Sequence, residues 1–145
     1  MFDRQPGLLV GVLAIGLGGL AIYALLDVFL SLRGAPPDGR LFLAKRGDAL
    51  AGSIALRRLD GESGEVKRLY VRPAYRGLGL GPMLARAVID AARAIGYRRL
   101  VLDTLADMTA ARALYQALGF REIGPYYENP LPGAIYMALE LAPAG

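Results

Sequence analysis

The sequence predicts an α+β domain: a central mixed sheet, antiparallel in its first half, with helices flanking it. Three observations carry that expectation. Residues 40–71 hold short alternating runs separated by Gly/Asp turns, as successive hairpin strands do. Two segments at helical spacing, 82–95 and 108–118, each meet a glycine just beyond their end. Apolar runs too short for helices stand between and after them, at 98–104, 120–123 and 134–141. Strands, then helix, strand, helix and two strands is the order of an α+β or mixed α/β fold.

The chain begins with an apolar run over residues 7–32, broken only by Tyr23, Asp27 and Ser31. About 20 apolar residues can cross a bilayer. Glycines at 7, 11, 16, 18 and 19 suit a membrane helix better than a soluble one. Arg33, Arg40, Lys45 and Arg46 follow the run and only Arg4 precedes it, which would keep the rest of the chain cytoplasmic. One or two buried helices of the domain are the other reading, supported by Asp27 and by Phe29, Leu30 and Leu32 after it. The run is too long for a cleaved signal peptide. The expected division is an atypical segment at 1–34 and a domain at 35–145.

The break at Ala35-Pro36-Pro37-Asp38-Gly39 leads into a strand at 40–45. Gly47-Asp48 is a tight turn, and 50–59 is the hairpin partner. Residues 60–64 turn again, and 65–71 is the third strand. In the helix at 82–95, Leu84, Ala87, Val88, Ala91 and Ile95 share the apolar face, with Arg86, Asp90 and Arg93 opposite. Leu100-Val101-Leu102 is a buried strand centre, and Asp107 is placed to cap the second helix. Residues 124–133 make a connection long for a hairpin, and such loops often shape sites.

Composition excludes several chemistries. Among 145 residues there is no Cys and no His. Disulfides, a Cys nucleophile, a Ser-His-Asp triad and the usual zinc sites are therefore out. Any general base is a carboxylate, a Tyr, a Lys or a relayed water. The net charge of +4 comes from scattered arginines, which favours an anionic ligand over nucleic acid. No metal is expected.

The most informative stretch runs from Val66 to Gly81: a strand, Val66-Lys67-Arg68-Leu69-Tyr70-Val71, then Arg72-Pro73-Ala74-Tyr75, then Arg76-Gly77-Leu78-Gly79-Leu80-Gly81 at the head of a helix. Such a junction aims free backbone N–H groups and a helix dipole at one spot, where a pyrophosphate can sit. A Walker loop needs a Lys-Ser/Thr pair that is missing here. A Rossmann fingerprint needs a first parallel strand directly before its glycines, whereas an antiparallel meander precedes these.

The loop resembles the pyrophosphate loop of the GNAT superfamily N-acetyltransferases, with its R/Q-x-x-G-x-G/A pattern between a strand and a helix. Lys67-Arg68-Leu69-Tyr70-Val71 is similar to that family's preceding strand, and Leu114-Tyr115-x-x-x-Gly119-Phe120 to its later helix end. The likeness covers residues 38–141 and fades over the first 30. It implies acetyl-CoA as co-substrate and direct transfer of an acetyl group to an amine of a small molecule or peptide. The N–H groups of Gly77, Leu78, Gly79, Gly81 and Met83 would hold the pyrophosphate, with Arg76 adding charge. Leu69, Tyr70 and Val71 would run beside the pantetheine arm, which pairs like an added strand. Thr104 would line the gap on the facing strand.

The resemblance also implies Tyr115 as proton donor to the leaving thiolate and Glu65 as base, and it sets Tyr126, Tyr127 and Asn129 beside the acceptor. Met108 stands where many members carry an Asn, so one polar cofactor contact is missing. A homodimer is compatible with this reading. A non-catalytic acyl-CoA-binding module, membrane-tethered or not, is the alternative. The presence of both Tyr115 and Glu65 favours the enzyme.

Overall fold

The computed structural model describes residues 10–15 and 38–142. In them a seven-stranded mixed sheet runs in the order β1-β2-β3-β4-β5-β7-β6. The strands are β1 (Val10–Ile15), β2 (Arg40–Arg46), β3 (Ala49–Arg58), β4 (Ser63–Val71), β5 (Arg99–Leu105), β6 (Arg121–Ile123) and β7 (Ala134–Glu140). Helix α1 spans Leu80–Ile95 and helix α2 spans Thr109–Ala117. The first four strands form the expected antiparallel meander. The β4–β5 pair is parallel, and the remaining pairs are antiparallel.

The N-terminal expectation needs correction. Val10–Ile15 is neither part of a membrane helix nor a buried one: it is an edge strand, paired antiparallel with β2 from Val10↔Arg46 to Ile15↔Leu41. An all-apolar six-residue run fits a strand as readily as a helix, and here the open edge of β2 decides. The rest of the 7–32 run lies outside the described residues. No helix among the described residues is long and apolar enough to cross a membrane.

The core lies between one face of the sheet and α1. Leu84, Val88 and Ala92 of the helix meet Phe42, Ile54, Leu56, Val66, Leu100 and Leu102 of the strands, all buried. Burying each Val, Leu, Ile or Phe among them contributes about 1.5–3 kcal/mol before entropy is subtracted, and Ala92 less. The buried stripe of α1 is Leu80, Leu84, Ala85, Val88, Ile89 and Ala92. Ala87, Ala91 and Ile95, placed at its centre by the sequence pattern, are only partly buried. The helix is apolar over a wide arc, so the sheet and not the pattern chooses the middle of the stripe. Gly96 closes α1 in a left-handed conformation. Asp107 does not cap α2: Met108 is the cap residue and makes no side-chain cap bond.

Candidate active site

Two departures from regular sheet build the site. The first is a bulge in β4. Ala55 pairs with Lys67 and Ser53 with Tyr70, so both Arg68 and Leu69 stand opposite Ile54. Arg68 has φ +58°, a costly value for a residue with a Cβ. A bulge bends its strand and raises the local twist. The second is a split. β4 and β5 pair only over Ser63↔Arg99, Gly64↔Leu100 and Glu65↔Val101. From Val66 onward β4 has no β5 partner, while β5 continues along β7 to Leu105. A wedge-shaped gap therefore opens between Leu69 and Val71 on one side and Asp103 and Thr104 on the other, with Glu65 at its closed end.

The Gly-rich loop stands at the mouth of β4. Pro73–Tyr75 forms a short 3-10 turn, and Arg76 donates from Nε to the Val71 carbonyl at 2.9 Å, latching the loop to its strand. The same guanidinium lies 5.9 Å from the centre of the exposed Tyr70 ring. Arg76 thus packs the loop in place. Gly77 and Gly79 have φ +80° and +81°, and a Cβ on either would meet open space. Both reverse the chain where only glycine does so without strain.

Among the described residues, no N–H from Gly77 to Gly81 has a backbone partner. Met83 is a correction. Its N–H donates to the Gly79 carbonyl at 3.2 Å, because α1 starts at Leu80, two residues earlier than the expected start at 82. The free donors are those of Gly77, Leu78, Gly79, Leu80 and Gly81, with Pro82 contributing none. This row at a helix N-terminus suits a pyrophosphate. Gly81 also lies close to Leu114, which ties the loop to the helix that carries Tyr115.

Tyr115 is buried, with its ring centre 5.4 Å from that of Phe120. Burial pushes its hydroxyl up to about 12, so it holds its proton at neutral pH. Thr104 is buried on the gap strand, and its hydroxyl donates to the Met108 sulfur at 3.6 Å. Met108 thereby takes up a polar contact where an Asn was expected.

Glu65 lies on the opposite face of the sheet from α1, and it is buried, only 1 % exposed. Its Oε1 accepts from Arg57 Nε at 2.5 Å, and its Oε2 accepts from the Tyr126 hydroxyl at 2.6 Å and faces Lys67 Nζ at 3.3 Å. Lys67 also reaches Asp103 Oδ1 at 3.0 Å. Asp103 Oδ2 accepts from Tyr127 at 2.7 Å and from Asn129 at 3.0 Å. Burial raises the Asp103 carboxyl, but the hydrogen bonds from Tyr127 and Lys67 outweigh it and leave the group below its ordinary value.

The loop over residues 124–133 is thus fastened to the gap by Tyr126, Tyr127 and Asn129 together. The rings of Tyr126, Tyr127 and Tyr136 pack on one another at 5.3–5.7 Å. Around the loop lies an open cavity of about 490 Å³, lined by Pro125, Tyr127, Glu128, Asn129, Pro130 and Tyr136. Arg57, Lys67, Asp103 and Tyr136 are absent from the sequence reading of the site. Alternation on β4 puts Glu65 and Lys67 on one face, which is the signal that could have found Lys67. Among the described residues no group of three or more metal-ligating side chains occurs.

A helix N-terminus with a row of open N–H groups, a split parallel strand pair and a buried Tyr that keeps its proton form the arrangement that CoA-dependent acyl transfer calls for. The chain belongs to the acetyltransferase (GNAT) family, whose model matches residues 18–120. An uncharacterised N-acetyltransferase of Schizosaccharomyces pombe is 43% identical over 110 residues, 74% of this chain and 67% of that one. The N-acetylaspartate synthetase of Danio rerio is 36% identical over 106 residues, covering 72% of this chain and 38% of its own length. Among solved structures, a GNAT family acetyltransferase from Elizabethkingia anophelis with acetyl-CoA bound is similar at TM-score 0.66 and 26% identity, over 91% of this chain and 98% of that one. The chain is an acetyl-CoA-dependent acyltransferase.

Proposed function

We propose that the chain transfers the acetyl group of acetyl-CoA to a primary amine by direct attack, without an acyl-enzyme. The observation that carries this is the split between β4 and β5, with proton-handling groups at its edges and no Cys or His anywhere in the chain. The row of N–H groups from Gly77 to Gly81 holds the pyrophosphate. The unpaired edge of β4 at Leu69, Tyr70 and Val71 receives the pantetheine arm in the manner of an added strand. Since Arg76 occupies the Val71 carbonyl, the pairing there falls to other backbone groups.

The acceptor enters from the face of Tyr126, Tyr127 and Asn129. An alkyl ammonium near pKa 10 must lose a proton before it can attack. Glu65 lies at the closed end of the gap with its oxygens held by Arg57, Lys67 and Tyr126, so it takes that proton through a water and not by direct contact with the ammonium. Arg57 and Lys67 hold the carboxylate in place. The amine nitrogen bonds to the thioester carbon, the C–S bond breaks, and Tyr115 protonates the departing sulfur. Purified protein given acetyl-CoA and a panel of amines tests the reading: free thiol should appear only when an amine is present, in step with N-acetylated product. Thiol release without product would mean hydrolysis, and binding without turnover would favour a non-catalytic acyl-CoA-binding module.

A further inference from the structure

We infer that the acceptor carries a carboxylate and that Arg57 grips it. The inference rests on the amine-transfer reading and names the substrate class of the same site. Its basis is which groups of the charged network are filled and which are left open. Glu65 has three partners in Arg57, Lys67 and Tyr126, and Asp103 has three in Lys67, Tyr127 and Asn129. Neither carboxylate has an obvious place for an incoming ammonium.

The cations differ. A guanidinium carries five N–H donors. Arg57 engages its Nε with Glu65, and among the described residues nothing meets its two terminal nitrogens. Exposure runs the same way: the side chains of Glu65 and Asp103 are 1% and 18% exposed, those of Lys67 and Arg57 30% and 61%. A molecule approaching this face meets the two cations first, with the carboxylates beneath.

Glu65 also aims the fork. By holding Nε it fixes the plane of the guanidinium and leaves the Nη edge free, the edge that binds a carboxylate through two parallel bonds. Arg57 stands opposite Glu65 in the β3–β4 register, one strand spacing from the closed end of the gap. A carboxylate held there would place an amine a few bonds away near the gap itself. That geometry fits a free amino acid or similar small aminocarboxylate. Positioning by a charged clamp of this kind is a recognised source of rate.

The test measures kcat and KM for a panel of amino acids, each paired with its own carboxamide. The amide's amine is less basic and loses its proton more easily, so chemistry alone favours the amide. The wild-type enzyme should nevertheless prefer the acid by about tenfold or more in kcat/KM, the value of hydrogen bonds to a charged group. Arg57→Gln should remove that preference, chiefly through KM for the acid; any fall in kcat from loosening Glu65 should be shared by acid and amide, so the ratio between them is the readout. Arg57→Lys should restore part of it, as charge without the fork. Acetyl-CoA should raise Tm equally in all three proteins.

An acid-to-amide ratio unmoved by Arg57→Gln would reduce Arg57 to a structural partner of Glu65 and overturn the inference. Turnover of carboxamides alone would overturn it while amine transfer stands. No turnover of either class, with acetyl-CoA still bound, would overturn amine transfer and the inference together.

Discussion

The Tyr126 hydroxyl donates to Glu65 Oε2 at 2.6 Å, and this bond joins the loop after β6 to the closed end of the gap between β4 and β5. It is a contact between residues 61 positions apart, one of which is almost wholly buried. Tyr126→Phe would keep the ring contacts with Tyr127 and Tyr136 and delete the donor. Glu65 would then be left with its cations alone. The expected cost is about 1–3 kcal/mol, the usual penalty for removing a partner from a buried charged acceptor. Urea unfolding should show a lower midpoint at unchanged slope. An unaltered midpoint would mean that water replaces the hydroxyl freely and that the loop is not held by this bond.

High pH should loosen the same region. Burial raises the Tyr126 hydroxyl well above its ordinary value, and the hydrogen bond to Glu65 raises it further. Burial and then the bond to Asp103 push Tyr127 up to about 12. In the unfolded chain these groups ionise near pH 10. Above that pH the native state binds more protons than the unfolded state, so stability falls as pH rises. Tm should hold below about pH 10 and decline steadily from there towards pH 12. The double variant Tyr126→Phe/Tyr127→Phe should show a shallower decline. An equally steep decline in that variant would assign the effect to other groups.

Much of this site could be read in the sequence, for a physical reason. Gly77, Gly79, Gly81 and Pro82 act locally, each fixing the backbone where it stands, so a strand, loop and helix head are visible without any tertiary contact. The partners of Glu65 are not local. Arg57 reaches it across the β3–β4 hairpin, on the turn side of the bulge, and the bulge itself was not legible because nothing in an arginine announces the positive φ of Arg68. Asp103 and the tyrosine loop meet only once β5 and β7 have paired. The N-terminal run misled because Val-Gly-Val-Leu-Ala-Ile is apolar at every position, so the period-2 signal of a strand is lost within a longer apolar stretch.

Glutamate substitutions in the glycine row should separate folding from ligand binding. Gly79 has φ +81°, so Gly79→Glu forces a side chain into the left-handed region and costs about 1–2 kcal/mol even without ligand. Gly81 has no such constraint, and a glutamate in the first turn of α1 suits the helix dipole. Gly81→Glu should therefore keep the unliganded Tm close to wild type and abolish the rise that acetyl-CoA produces. NADH should produce no rise in any of the proteins. A Gly81→Glu protein still stabilised by acetyl-CoA would place the pyrophosphate elsewhere.

Tyr115→Phe should lower kcat about 10²–10⁴-fold, the usual contribution of a general acid or base, with the acetyl-CoA-induced Tm shift retained. The ring contact with Phe120 stays, so the fold should tolerate the change. An acetyl donor with a more acidic thiol needs less help in leaving, and the variant's deficit should shrink with it. A uniform deficit across donors would assign Tyr115 to positioning the thioester.

Removing residues 1–34 should expose β2 and promote association. β1 pairs with β2 over six positions, from Val10↔Arg46 to Ile15↔Leu41, and so covers its outer edge. Without it, the N–H and C=O groups of that edge face water in a regular row, a template for another strand. The expected outcome for a chain starting at Ala35 is a lower Tm and concentration-dependent association by light scattering. Acetyl-CoA binding should survive in the monomeric fraction, because the glycine row and the gap lie at β4 and beyond. A truncated chain that stays monomeric with the full-length Tm would show that β1 adds nothing to the sheet and would return the N-terminal run to the role of a separate anchor.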